Sequence, residues 1–263
     1  MRPITLAIAV AIALTTAGCG DEQTGTANPY GLITGGVLLA ATSGDQPPFS
    51  VIKDGKPDGF TIALNEEVAK RLGLKTEYKQ TAGAIQGLTA GQYDLVANGL
   101  GITAEREKSI LFAKGEYWST TAALTLKSSP VASFAGLGGK RVAVVTGSVQ
   151  VGYLKKITGA ISTEFPAQNA AVTALHAGSV DAFLTGGPDA DAYLRQFADL
   201  HIAASQPVDH PTTVAFQKTG TALATAYNTQ LEAMVADGTY RKIYDRYFTT
   251  PPLPELVKIW PGL

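Results

Sequence analysis

The sequence is poor in cysteine and has no excess of charge of either sign. A single cysteine, Cys19, occurs in 263 residues, so no disulfide can form within the chain. Lys and Arg number 21 and Asp and Glu number 22, for a net charge of −1. This balance argues against nucleic acid and anionic membranes as partners. The three histidines, His176, His201 and His210, lack the spacing of metal ligands, so we predict no metal and no cofactor.

The N-terminus carries a long apolar run. Residues 4–14 are apolar apart from Thr5, and the run is shorter than the ~20 residues that span a bilayer, so residues 1–18 are predicted to be a signal peptide. Small residues followed by Cys19 resemble a bacterial lipobox, although Thr16 stands where leucine is usual. We therefore predict an extracytoplasmic protein anchored to the cell membrane by a lipid on Cys19, with residues 19–34 as a flexible tether. The alternative is an ordinary secretory signal with an incidental cysteine.

From Gly36 onward, strand patterns alternate with helix patterns. The order strand, helix, strand, helix, strand is typical of a parallel sheet covered by helices, which predicts an α/β fold. The predicted strands are residues 37–41, 75–78, 95–97, 141–145, 163–165 and 182–184. The predicted helices are residues 62–72, 84–90, 170–177 and 222–236.

The loop of residues 98–107 combines glycines with an arginine. Thr103 is a predicted N-cap, and we expect a helix from there through Phe112. Arg106 falls in the first turn, where a cation is disfavoured by up to about 1 kcal/mol unless an anion is held there. Unused N–H groups and an arginine fork predict a socket for a carboxylate. The alternative is a surface arginine paired with Glu105 or Glu107.

Two ten-residue segments repeat one pattern. Residues 90–99 match residues 177–186 at a fixed register, each with a helix end, a glycine, an aspartate, a buried strand and a second glycine. Ligands of parallel sheets bind beyond the carboxyl ends of the strands. Two similar lobes facing each other would enclose one site between them.

A series of short phrases recurs in a fixed order along the chain: Pro48-Phe49, Gly59-Phe60, Tyr93-Asp94-Leu95 and residues 99–106, 139–144, 180–182 and 237–244. In the order and spacing of these phrases the chain resembles the solute-binding proteins of bacterial ABC importers, of the polar-amino-acid type. The resemblance implies a two-lobed periplasmic-binding-protein-like (type II) clamshell with two hinge strands. It also implies lobe 1 over residues 35–125, lobe 2 over residues 126–219 and a C-terminal return to lobe 1 over residues 220–263.

The resemblance assigns roles to five positions. Arg106 corresponds to the arginine that binds the ligand α-carboxylate, and Gly99 to the residue whose carbonyl accepts the ammonium. Gly101 stands where Ser or Thr is usual. Ser148 begins a helix of lobe 2 whose backbone and hydroxyl meet the carboxylate. Gly186 stands where an acid normally holds the ammonium.

Losing the acid at position 186 leaves two alternatives open. A buried unpaired ammonium would cost several kcal/mol. Either another acid replaces it, with Asp45, Glu116 and Asp189 as candidates, or the ligand is bulkier than a plain amino acid, such as an amino-acid conjugate. The aromatic residues that usually sandwich the ligand side chain fall near Gln46 and Thr81.

The predicted function is capture of a carboxylate-bearing small molecule by lobe closure and its delivery to an ABC permease by a monomer. Ser43, Asp45 and Thr146 complete the predicted ligand-binding set. One alternative is an enzyme of the cyclohexadienyl-dehydratase type on the same fold, but no nucleophile elbow or P-loop supports it. The other is a ligand-sensing partner of a membrane receptor.

Overall fold

The computed structural model describes residues 28–263. The predicted signal peptide, Cys19 and residues 19–27 of the predicted tether lie outside the described residues. Within residues 28–263, none of the helices combines the length and the hydrophobicity that crossing a membrane requires.

The first part of the chain forms a parallel sheet in which β1 lies between β5 and β6, and a small antiparallel sheet of β2, β3 and β4. The strands are β1 (Val37–Thr42), β2 (Asp45–Gln46), β3 (Ser50–Lys53), β4 (Lys56–Asp58), β5 (Lys75–Gln80), β6 (Leu95–Gly101) and β7 (Ile110–Phe112). The helices are α1 (Phe60–Arg71), α2 (Ala84–Thr89) and α3 (Ala104–Glu107).

The rest of the chain adds a second set of parallel strands, β9–β11, to the same sheet and then returns to the first set. Its strands are β8 (Tyr117–Leu126), β9 (Arg141–Val145), β10 (Ile161–Phe165), β11 (Ala182–Gly186) and β12 (Leu200–Gln217). Its helices are α4 (Val149–Leu154), α5 (Gln168–His176), α6 (Gly187–Gln196), α7 (Thr221–Ala236), α8 (Thr239–Tyr247) and α9 (Pro254–Ile259), with a 3-10 turn at Ala135–Leu137. Strands β1–β7 with helices α1–α3 and α7–α9 form lobe 1, and β9–β11 with α4–α6 form lobe 2.

Strands β8 and β12 join the lobes, as the predicted hinge strands do. They pair antiparallel in one continuous order, β10-β9-β11-β8-β12-β6-β1-β5, with β7 also on β12. Residues 121–124 of β8 pair with β11, whereas residues 212–217 of β12 pair with β6 and β7. The two-lobed α/β prediction is confirmed. From this pairing we propose lobe borders near residues 120 and 208, in place of the predicted 125/126 and 219/220.

Helix α3 is shorter than predicted. It ends at Glu107, and Ile110 to Phe112 form β7 rather than further helical turns. Residues 110–112 pair with residues 215–217 of β12, which lie more than 100 positions away in the sequence. The expectation of a helix through Phe112 is therefore wrong, because strand pairing outweighs the local pattern.

The repeat found in the sequence is also a repeat in the structure. The amide of Asp94 donates to the Leu39 carbonyl and its Oδ2 accepts from the Leu39 amide, each at 2.8 Å. Asp181 makes the same pair of bonds with Arg141, at 2.7 and 2.8 Å. Each aspartate therefore fixes a strand entering the sheet of its own lobe.

Asp94 also holds the chain that precedes β1. Its Oδ1 accepts from the Ile33 amide at 2.9 Å, and Leu32 is buried in the core of lobe 1. Residues 28–34 are thus packed on lobe 1. The prediction of a flexible tether over residues 19–34 is wrong for this portion, because the sequence did not show which partner binds Ile33.

Glu116 lies in the aromatic core of lobe 1. Its Oε1 accepts from the Tyr227 hydroxyl at 3.0 Å and its backbone carbonyl from the Tyr240 hydroxyl at 2.5 Å, while Oε2 has no hydrogen-bond partner in the described residues. Burial raises the pKa of the Glu116 carboxyl to about 8. The folded protein therefore holds Glu116 protonated at neutral pH.

We expect this proton to make stability depend on pH. Between pH 4.5 and 8 the unfolded chain ionises Glu116 while the folded chain keeps its proton, so the free energy of unfolding falls as pH rises. Glu116→Gln should remove this slope. From pH 5 to pH 8, denaturant titration should show the variant gaining at least about 1 kcal/mol relative to the parent, since one pKa unit corresponds to about 1.4 kcal/mol.

The control is Glu164→Gln, at an exposed position on β10. It should leave the slope of the parent protein unchanged. Parallel pH profiles for Glu116→Gln and the parent would contradict this account of Glu116.

Candidate functional site

A cavity of about 190 Å³ lies between the two lobes. This volume is below the ~300–1,000 Å³ of pockets for drug-sized ligands and fits a compact solute. Lobe 1 contributes the loop after β1, the end of β6 and α3, and lobe 2 contributes the loop after β9 and the end of β11. All eight predicted ligand-binding residues line it: Ser43, Asp45, Gly99, Gly101, Arg106, Thr146, Ser148 and Gly186.

Arg106 connects the lobes across this cavity. The Thr103 hydroxyl accepts from the Arg106 amide at 3.3 Å, which confirms the predicted N-cap. The guanidinium donates to the carbonyl of Gly101 in lobe 1 and to the carbonyl of Gly147 in lobe 2, each at 2.7 Å. The side chain therefore bonds to neutral oxygens from both lobes.

No acid neutralises Arg106 in the part of the chain that the structure describes. Glu105 pairs instead with Lys108 at 2.5 Å, and the guanidinium bonds to carbonyls, so the alternative of a surface arginine paired with Glu105 or Glu107 is wrong. Burial lowers the pKa of the Arg106 guanidinium, which nevertheless stays charged because arginine is not deprotonated in proteins. A desolvated cation held by carbonyls alone attracts an anion.

Two further polar groups lie at this end of the cavity. Ser148 Oγ and His210 Nε2 are buried and have no hydrogen-bond partner in the described residues. His210 Nδ1 lies 2.6 Å from Asp209 Oδ1, which leaves Nε2 as the ring nitrogen for a ligand. His210 was not among the predicted residues, because nothing in the sequence around it indicates contact with β6.

The backbone amides of Thr146 and Ser148 are bonded to backbone carbonyls and are therefore not free to bind a ligand carboxylate. The Ser148 amide donates to the Val145 carbonyl at 3.0 Å, and the Thr146 amide donates to the Phe165 carbonyl at 2.8 Å. The expectation that the Ser148 backbone meets the ligand is therefore corrected, and only its hydroxyl is unpaired.

The glycines of β6 make room for neighbouring side chains. A Cβ on Gly101 would lie 2.6 Å from His210 Nε2, and one on Gly99 would lie 2.9 Å from the Phe49 ring. The Gly99 carbonyl, predicted to accept the ligand ammonium, accepts from Gln46 Nε2 at 3.3 Å. Gly101 therefore leaves no vacant space, since the imidazole lies where a serine or threonine side chain would be.

The structure separates the three candidate acids. Glu116 does not line the cavity and is excluded as a ligand group. Asp189 lines it from the first turn of α6 and is buried, and this burial, with Asp45 adding to it, raises its pKa well above the usual value. Gln168 Nε2 donates to Asp189 Oδ1 at 3.0 Å. Asp189 is thus the one of the three candidate acids that lines the cavity from lobe 2.

Asp45 reaches from lobe 1 to the start of α5 in lobe 2. Its Oδ2 accepts from the amides of Gln168 at 2.7 Å and Asn169 at 3.4 Å. A carboxylate at this end of a helix satisfies unpaired amides and complements the helix dipole. Asp45 therefore holds the lobes together, besides lining the cavity.

The described residues contain no group of three or more His, Cys, Asp or Glu side chains that could hold a metal ion. Of the two positions expected near the aromatic sandwich, Gln46 lines the cavity and Thr81 does not. Phe49 is an aromatic residue of the lining.

Known proteins share both the sequence and the fold. The family described as bacterial extracellular solute-binding proteins, family 3, matches residues 38–250. The lysine/arginine/ornithine-binding periplasmic protein of Escherichia coli K12 is 30% identical, over 94% of this chain and 97% of that protein. The ABC transporter arginine-binding protein 1 of the same strain is 27% identical, over 78% of this chain and 88% of that protein.

Solved structures support the same assignment. An ancestral arginine-binding protein bound to arginine superposes with a TM-score of 0.78 at 34% identity, covering 81% of this chain and 98% of that one. An ancestral arginine-binding protein bound to glutamine superposes with a TM-score of 0.79 at 34% identity, covering 82% of this chain and 99% of that one. These are two-lobed binding proteins, and the relatives are named as binding proteins rather than enzymes. The chain belongs to family 3 of the bacterial extracellular solute-binding proteins.

Proposed function

We propose that this protein captures a small carboxylate-bearing molecule, an amino acid or an amino-acid derivative, and delivers it to the permease of an ABC importer. The observation that carries the proposal is Arg106, a desolvated cation with no acidic partner among residues 28–263, in a cavity between two lobes. The names of the relatives in E. coli, which bind lysine, arginine and ornithine, point to the same class of ligand.

Arg106 belongs to lobe 1, so the ligand carboxylate binds there first. Closure of lobe 2 then brings the Gly147 carbonyl to the guanidinium, and the Ser148 hydroxyl to the same end of the cavity. The ligand favours the closed state by the difference between its affinities for the two states. A permease that recognises the surface formed by both lobes would thereby distinguish loaded protein from empty protein.

The proposal includes attachment to the cell membrane through a lipid on Cys19. Its support is the sequence alone: an apolar segment too short to span a bilayer, then small residues, then the sole cysteine of the chain. The protein acts as a monomer, because one chain supplies both sides of the cavity.

The carboxylate site is tested by Arg106→Ala. Hydrogen bonds to charged groups contribute about 1.5–3 kcal/mol each, so the loss of the guanidinium should weaken binding at least tenfold. Calorimetric titration with each of the twenty common amino acids, after native mass spectrometry for a retained ligand, measures the effect. Arg195→Ala, an exposed arginine on α6, is the control. Unchanged affinity in Arg106→Ala would reject the docking step.

The contact between lobes is tested by Asp45→Ala. Removing a cap costs about 1 kcal/mol, so ligand dissociation should accelerate about fivefold. In the ligand-bound protein, the amides at the start of α5 should exchange hydrogen faster. Glu164→Ala, the substitution of an exposed acid on β10, should change neither quantity. If Asp45→Ala matches the parent protein in both, the contact does not hold the lobes closed.

The anchor is tested by Cys19→Ala in the full-length chain expressed in bacteria. The parent protein should fractionate with membranes and carry the added mass of a lipid, whereas the variant should be released in soluble form. Thr16→Leu, which restores the usual leucine, should remain anchored. Equal fractionation of the parent and Cys19→Ala would contradict the proposed lipid anchor.

A further inference from the structure

A short irregular segment of β12 brings a histidine to the cavity. The register of β12 against β8 shifts between Pro207 and Pro211, so residues 208–210 lie outside the regular ladder. An interruption of this kind re-aims the side chains of a strand. His210 lines the cavity, and a Cβ built on Gly101 of β6 would lie 2.6 Å from its Nε2. A strand that joins the two lobes therefore contributes an imidazole to the ligand site.

Neighbouring groups hold this imidazole in place. Trp118 Nε1 donates to the Val208 carbonyl at 3.0 Å, which attaches the irregular segment to β8. The Tyr153 hydroxyl, on α4 of lobe 2, donates to Asp209 Oδ1 at 3.0 Å. His210 Nδ1 lies 2.6 Å from the same oxygen. The orientation of the ring therefore depends on contacts with β8 and with lobe 2.

His210 donates its Nδ1 proton to Asp209. The hydrogen bonds from His210 and Tyr153 lower the pKa of the Asp209 carboxyl, so this group is ionised at neutral pH and can only accept. The ring therefore gains or loses a proton at Nε2. Histidine side chains change charge between about pH 5 and 8. In the described residues Nε2 of His210 is buried and has no hydrogen-bond partner.

Ionisable groups approach the imidazole from three elements. Asp209 on β12 favours the charged ring, whereas Arg106 on α3, whose guanidinium binds the β6 carbonyl beside the ring, opposes it. On α4, burial raises the pKa of Tyr153, which is neutral, and the exposed Lys156 lies 5.2 Å from the centre of the tyrosine ring. A carboxylate bound to Arg106 would offset the opposition from the two cations and offer Nε2 an acceptor. Ligand binding and protonation of His210 would then favour each other.

We propose that His210 is a specificity-determining residue that donates from protonated Nε2 to the ligand carboxylate beside Arg106, so that binding takes up one proton from solvent. This inference rests on the proposed function, because the carboxylate must lie at Arg106. The bound state holds more protons than the free state, so affinity rises as pH falls through the range in which histidine titrates. The protein captures its ligand more tightly in acidic surroundings than in alkaline ones.

The test measures the proton uptake directly. The probe is the common amino acid that binds the parent protein most tightly among those whose side chains do not titrate between pH 6 and 8. Calorimetric titration in buffers of different ionisation enthalpy gives the number of protons taken up, together with the affinity. We expect uptake of a large fraction of one proton, and affinity at least about fivefold weaker at pH 8 than at pH 6.

Two substitutions of His210 separate the donor from its titration. His210→Gln supplies an amide donor at every pH, so it should bind the probe within about fivefold of the parent at pH 6 and lose the proton uptake. His210→Ala supplies no donor and should bind about tenfold more weakly than the parent at pH 6. The matched control is His201→Gln, on the same strand but outside the cavity lining, which should keep the uptake of the parent.

A second acid of the cavity does not confuse this comparison. Burial raises the pKa of Asp189, and any proton that it exchanges on binding is common to the parent and His210→Gln. That contribution cancels in the difference between them. If neither His210 variant folds, the parent labelled with ¹⁵N-histidine decides the question. The chain has three histidines, and the ring signals of one should move to the charged form when the probe is added at pH 7.5.

The outcomes separate this inference from the proposed function. If the parent binds none of the twenty amino acids, the amino-acid ligand and the role of His210 are overturned together. If one binds and depends on Arg106, but proton uptake is equal in the parent and His210→Gln, the role of His210 alone is overturned. Affinity that falls in acid would also overturn it, because a neutral Nε2 would then be accepting from the ligand. Loss of the uptake in His210→Gln, with binding retained, supports the proposal.

Discussion

The half-buried Arg106 guanidinium has no acidic partner among residues 28–263, and this is the constraint on which the site depends. Two neutral carbonyls, Gly101 in lobe 1 and Gly147 in lobe 2, accept from it at 2.7 Å. Carbonyls orient the cation without cancelling its charge, so the field of Arg106 remains available inside the cavity. Since one carbonyl comes from each lobe, the same side chain that attracts an anion also contributes to the closed arrangement.

On the lobe 2 side of the cavity, Asp189 is also bonded to a neutral group. Asp189 is oriented by the amide of Gln168, a neutral group, and Gln168 is oriented by Thr185. The Asp189 carboxyl group is therefore oriented by a neutral partner and has no cationic partner among residues 28–263. Because Gln168 also donates its backbone amide to Asp45, the residue that orients Asp189 is also one at which the lobes touch.

The sequence predicted much of the fold, and the reasons are local. Apolar strands ended by glycines, the Thr103 cap and the repeated aspartates are features of short segments, and the structure contains all of them. What the sequence did not show depends on distant partners. Strand β7 exists because β12 pairs with it, and residues 28–34 are held because Asp94 accepts from Ile33. The imidazole of His210 beside Gly101 was not predicted, because the sequence does not show that these two residues lie together.

The two strands that join the lobes have a mechanical consequence. Strands β8 and β12 form one ladder, but its register shifts between Pro207 and Pro211, and proline donates no hydrogen bond to a ladder. A second register shift lies between Ile202 and Ala204, so regular pairing is interrupted twice along this ribbon. We expect bending of the ribbon to be concentrated at these two interruptions, where fewer ladder hydrogen bonds oppose it.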